Sequence, residues 1–175
     1  MTVRHILSTL TSEVKQYKLT AVLTPIFVIL EVLMEVLIPF VIAHLIDNGV
    51  ETGNYSVITE AGTILIILAL LALLFGILAG RTSAVASAGF ARNLRRAVFS
   101  NVQKFSFSNI DKYSAPSLIT RLTTDVTNIQ NSFMMIIRVA IRSPVMFLAS
   151  FIMVLMIKPE MALIIACVVP ILGVG

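Results

Sequence analysis

Residues 61–80 read AGTILIILALLALLFGILAG, twenty positions without a charge. A helix needs about 20 predominantly apolar residues to cross the hydrocarbon of a bilayer. This run has that length and that composition, and it leaves no polar face to line a water-exposed surface. It therefore sets the class of fold: an all-α, polytopic membrane protein. The rest of the chain agrees. It is 58% hydrophobic and 13% charged, against roughly 45–50% and 25% for a soluble domain. So little charge cannot clothe a soluble core. The single Cys167 allows no intramolecular disulfide and reads as a small buried hydrophobe.

Four spans are predicted, at about 19–46, 57–80, 133–157 and 161–175. The fourth is still apolar at Gly175, where the sequence stops; its fifteen residues reach roughly 22 Å at 1.5 Å each, too short to cross. This reads as a chain cut inside its fourth span, a piece of something longer. Residues 1–18 do not read as a secretory leader: the apolar run that follows is too long, holds two glutamates, and lacks a small-residue cleavage site.

Basic residues mark the cytoplasmic side. The N-terminal arm, 1–18, carries Arg4, Lys15 and Lys18. The loop at 47–60 carries Asp47, Glu51 and Glu60 and no base, whereas 81–131 carries Arg81, Arg92, Arg95, Arg96, Lys104, Lys112 and Arg121. The arm and the long middle segment are thus expected inside. The acidic loop and the short KPE turn at 158–160 are expected outside.

The middle segment is itself predicted to be helical. From Arg81 to Phe107 there is no proline and one glycine, Gly89, and Phe90, Leu94, Val98, Val102 and Phe105 recur at helical spacing. Ile119, Leu122, Val126, Ile129 and Phe133 form a second such stripe, preceded by Ser114 as an N-cap and by Pro116 in the first turn. Two helical extensions of the second and third spans would make a cytoplasmic hairpin over 81–132, with the polar stretch 107–114 at its tip. A solvated loop with some helix is the alternative. Ala72, Gly76, Gly80, Ala84 and Ala88 recur every four residues, a spacing of small residues that favours close helix packing.

No enzyme active site is visible. GILAGRTS has the wrong spacing for a phosphate loop. There is no HExxH, His5 and His44 lie far apart, and the basic segment lacks a nucleic-acid pattern. No nucleic-acid partner is expected; the apolar spans imply the lipid bilayer as one partner.

Several charged residues fall within or beside the spans. Glu31 and Glu35 are four apart and share one helix face. Intramembrane carboxylates are costly and commonly face a cavity or a partner. They are candidates for a cavity that takes cationic lipophilic compounds; the alternative is a pair satisfied by other helices or by an interface. Arg138 and Arg142 are expected to snorkel to the inner interface, and His44 to sit at the outer one. The methionines of 134–156 read as packing. Arg121 and Asp125, also four apart, read as a local ion pair or as contacts to a neighbouring helix.

The stretch FARNLRRAVFSNVQKFSFSNIDKYSAPSLITRLTTDVTNIQ, residues 90–130, resembles the first intracellular loop of ABC exporters of the six-helix type, with its Thr-Arg-Leu-Thr-Thr-Asp-Val core at 120–126. IPF and LIDNGV, around 38–50, resemble the end of the family's first span, and KPEMALIIACVVPIL resembles the start of its fourth. The wording of 105–126 looks most like subunits of bacterial heterodimeric multidrug exporters. The resemblance implies the first half of a type-1 transmembrane domain, a nucleotide-binding domain on this or a partner chain, and a second half-transporter, identical or not. It implies ATP and Mg2+ for the full-length protein, with no cofactor held by these residues. It implies a multi-pass protein of the cell membrane. Carried over by position, Ser108, Asn109, Ile110, Asp111 and Lys112 would form a coupling helix seated on the nucleotide-binding domain, and Arg121 and Asp125 would lie in the stalk. Outside this family, a four-helix secondary transporter or a non-transporting membrane protein are the alternatives.

Overall fold

The computed structural model describes residues 14–104 and 115–157. The expected coupling segment 108–112, the expected N-cap Ser114, the expected turn at 158–160 and the expected fourth span lie outside the described residues. Apart from short turns, those described are helical, and they hold no strand. Helix α1 is Lys18–Leu45, entered by a 3-10 turn Lys15–Tyr17 and left through a π turn Ile46–Val50. Helix α2 is Tyr55–Val102, α3 is Ala115–Thr120, and α4 is Val126–Ile157; a π turn Arg121–Asp125 joins the last two. Among the described residues, three helical stretches are long and apolar enough to cross a membrane. The fold is an all-α polytopic membrane domain. Much of the apolar surface faces outward, as at Leu70, Ile136 and Met156, as expected where lipid or partner helices cover it.

Local chemistry explains the breaks. Asn54 accepts the Ser56 N–H at 3.1 Å and caps the start of α2. Gly53 takes φ +66, a left-handed turn position. Gly49 is buried where a Cβ would stand 2.9 Å from Ile58 Cγ1. Helix α2 has 48 residues and no proline; at 1.5 Å per residue it is about 72 Å long, more than twice a hydrocarbon thickness of about 30 Å.

The chain forms two compact units. The first combines Met1–Ile26 with Leu78–Val139. Its centre holds Thr24, Ala79, Ser83, Ala86, Ser87 and Phe90, all almost fully buried. The Thr24 hydroxyl lies 3.0 Å from that of Thr82. Phe90 stacks on Phe133 with centroids 4.7 Å apart, and Arg95 Nη2 donates to Thr127 Oγ1 at 3.1 Å. Val98, Val102, Leu118 and Arg121 line one crevice further along. Moving down α2 thus means moving up α3 and α4, so the two arms run antiparallel.

Two stripes differ from expectation. In the second, Leu118 and Val126 are buried, whereas Ile119 and Ile129 are 61% and 37% exposed. The π turn at Arg121–Asp125 places an extra residue in one turn, so the positions before it are rotated relative to a continuous α-helix. In the small-residue stripe, Ala84 and Ala88 are exposed, and Ala79, Ser83, Ala86 and Ser87 are buried instead. A step of four overshoots a 3.6-residue turn by about 40°, so the line drifts off any straight contact after several steps.

Tyr17 packs its ring where a Gly89 Cβ would be. Hydrogen bonds from Gln16 and then Arg92 hold its hydroxyl, which precedes the apolar run, below the ordinary phenol value. Gly→Ala inside a helix normally adds up to about 1 kcal/mol of stability. At Gly89 the sign is expected to reverse, with a loss of roughly 1–3 kcal/mol from overpacking. Thermal unfolding in nanodiscs checks this; a Gly89→Ala protein at least as stable as the parent would show that Tyr17 does not pack there.

The second unit combines Phe27–Ile77 with Ala140–Gly175. Val28 and Val32 are fully buried, and Glu31 beside them is 8% exposed. Pro144 lies inside α4; membrane helices accommodate such a proline through neighbouring helices and side chains.

Candidate functional site

Within the second unit three ionisable side chains converge. Glu31 and Glu35 sit one turn apart on α1, and Arg142 reaches them from α4. Arg142 Nη1 is 2.7 Å from Glu31 Oε1, and Nη2 donates to Glu35 Oε1 at 2.8 Å and Oε2 at 2.7 Å. The two carboxylates are four residues apart, about 6 Å along the axis, a separation one planar guanidinium fork can bridge. Helix α2 contributes an absence of side chain: a Cβ at Gly76 would stand 3.0 Å from Glu31 Oε1 and 3.3 Å from its Cδ. Any larger residue would press on the carboxylate.

The expectation that Arg142 snorkels to the interface is corrected here. A guanidinium near two carboxylates in a medium of low dielectric gains more from them than from stretching toward water. Its side chain remains 34% exposed, against 11% for Glu31 and 29% for Glu35. Opposite intramembrane charges on separate spans are a signal for such pairing, and one that the sequence contained. The balance is uneven, with two acids to one base. Glu31 Oε2 is buried without a hydrogen-bond partner among the described residues.

The GxxxG of α2 also acquires a different meaning. Gly76 makes room for Glu31. In the first unit, a Cβ on Gly80 would lie 3.8 Å from Arg138 Nη1. Each glycine faces a charged side chain.

The remaining candidates are dispersed. Arg121 and Asp125 are exposed at the two ends of their π turn. His44 is exposed, with Nδ1 3.1 Å from Asn48 Nδ2, and with Phe40 and Glu60 it lines a cavity of about 260 Å³. A wider apolar groove of about 520 Å³ runs between Leu33, Leu37, Leu148 and Ile152, and neither Glu31 nor Glu35 lines it. Among the described residues no three His, Cys, Asp or Glu side chains are placed to hold a metal ion.

Residues 22–175 match the family model of the ABC transporter transmembrane region. The chain is 32% identical over 161 residues, 92% of its length, to an uncharacterized ABC transporter ATP-binding protein of Bacillus subtilis. It is 30% identical over 131 residues, 75% of its length, to one of Mycobacterium tuberculosis. A mitochondrial potassium channel ATP-binding subunit of Mus musculus is 31% identical over 86 residues, 49% of this chain and 12% of that protein. The chain spans 28% of the Bacillus relative and 22% of the mycobacterial one.

Proposed function

The chain belongs to the ABC transporter transmembrane family, and from that membership we propose that it contributes the membrane pathway of an ATP-driven exporter of lipophilic drugs, lipids or peptides. The protein lies in the cell membrane with its N-terminus in the cytoplasm, an orientation supported by the basic residues of 81–131 and the acidic loop of 47–60. A nucleotide-binding domain, on this or a partner chain, binds ATP with Mg2+, and a second half-transporter of the same or another sequence completes the pathway. Residues 108–112 seat on the nucleotide-binding domain and pass its closure to the hairpin arms.

The observation that supports a preference for cations is the acid excess of the Glu31–Arg142–Glu35 cluster. Arg142 neutralises one carboxylate; the other leaves the interior of the helices able to favour a positive charge. Glu35, the more exposed of the two, is the one a substrate would meet. Glu35→Gln in the full-length protein is expected to lower export of a cationic dye roughly tenfold, about 1.4 kcal/mol, and that of a neutral dye of similar size much less. Equal losses for both dyes, measured in inverted vesicles, would sink the cation preference.

A further inference from the structure

The first unit holds a cluster that the transport reading does not use. Lys15, from the turn before α1, faces Arg92 and Arg96 on α2 across a cavity of about 330 Å³, and Gln16, Asn93 and Ser100 add neutral polar groups to its wall. Among the described residues, none that lines it is acidic. Arg92 and Arg96 are four apart on one helix, a spacing at which like charges oppose each other. Adding Lys15 from a second segment makes three cations around one polar hollow.

The neighbouring Tyr17 hydroxyl accepts first from Gln16 and then from Arg92, so two residues of this wall already present donors to an oxygen. Two planar guanidinium forks, an ammonium and neutral donors are the chemistry that holds the oxygens of a phosphate group. The position adds a source. Lys15 and Gln16 precede the start of the first predicted span, Leu19, by four and three positions, which puts them near the edge of the bilayer. Basic hollows between helices on the cytoplasmic side are suited to anionic lipid headgroups.

We propose that Lys15, Arg92 and Arg96 form a binding site for a phosphate group, presented by an anionic lipid of the inner leaflet or by a free phosphate. Placing it at the inner leaflet rests on the orientation proposed above; the phosphate chemistry does not. A lipid here ties the segment before α1 to the arm of α2. Because Lys15, Arg92 and Arg96 are exposed, binding weakens as ionic strength rises.

The test uses the full-length protein, delipidated in detergent and titrated with phosphatidylglycerol or phosphatidylcholine of the same chains while bound lipid is counted by native mass spectrometry. Phosphatidylglycerol is expected to bind at least tenfold more tightly. The Arg92→Gln/Arg96→Gln protein is expected to lose that preference, and Arg92→Lys/Arg96→Lys to keep most of it. Inorganic phosphate is added in a parallel arm: displacement of the lipid at millimolar phosphate identifies a site for free phosphate, and lipid retention identifies a headgroup site. Both outcomes support the site. Equal affinity for the two lipids with no effect of phosphate, or an unchanged preference in the glutamine variant, overturns it. Should the double variant fail to fold by circular dichroism, Lys15→Gln gives the same reading. Lipid counting needs no transport, so failure here leaves the export reading standing, and the reverse holds equally.

Discussion

Arg142→Leu lowers the unfolding free energy by on the order of 3 kcal/mol, because removing one partner of a buried ionic group strands the others. Two carboxylates are then left inside the helices with no cation: Glu31, 8% exposed, and Glu35 one turn away. The 34% exposure of the Arg142 side chain puts the loss at the lower end of what such deletions cost. The triple replacement Glu31→Leu/Glu35→Leu/Arg142→Leu is expected to regain most of it, since apolar residues of similar volume often substitute for a buried ionic group without net loss. The comparison separates the two contributions of the cluster. A single variant that is weak beside a triple variant that is strong means that the charges answer one another and do not drive folding. Thermal unfolding of the three proteins in nanodiscs measures it. An Arg142→Leu protein as stable as the parent would show that Arg142 does not hold the two acids.

Ile110→Ala/Asp111→Ala leaves ATP turnover in the full-length protein within about twofold of the parent and reduces transport about tenfold, within the range of 1–3 kcal/mol typical of coupling between sites. The expectation follows from the proposed seat of 108–112 on the nucleotide-binding domain. The effect differs in kind from that of Arg142. Stability is expected to be unchanged, because the described contacts that join α2 to α4, Phe90 on Phe133 and Arg95 on Thr127, involve neither residue. Parallel assays of phosphate release and dye export in proteoliposomes check this. Full retention of both activities would remove the coupling role from these residues.

Much of the fold was legible before any coordinates. Length and hydropathy place the helices of 19–46, 57–80 and 133–157, because a membrane crossing needs a long apolar run and nothing else of that composition can be hidden from water. The helical extension of α2 beyond Gly80 was legible too, from the absence of proline and the four-residue recurrence of Phe90, Leu94, Val98 and Val102. The second stripe was half right. Val126 belongs to it, but Ile119 does not, because no simple residue pattern announces the π turn at Arg121–Asp125 that shifts the register. The small-residue line picked out Gly76 and Gly80, which leave room for charged side chains, and it departs from the buried face at Ala84 and Ala88, since a four-residue period and a 3.6-residue turn part company over distance.

The candidate site divides in the same way. Composition and spacing by themselves determine that Glu31 and Glu35 share a face of an apolar helix, that such acids are costly there, and that they require an answer. They do not determine which residue answers. Arg142 is 107 residues from Glu35 in the chain, and only the folding of α4 against α1 brings its fork to both carboxylates while Gly76 clears the space on α2. Hydropathy and periodicity act between near neighbours and so are written locally. A guanidinium chooses its partners by distance and dielectric, and both exist only after the helices have packed.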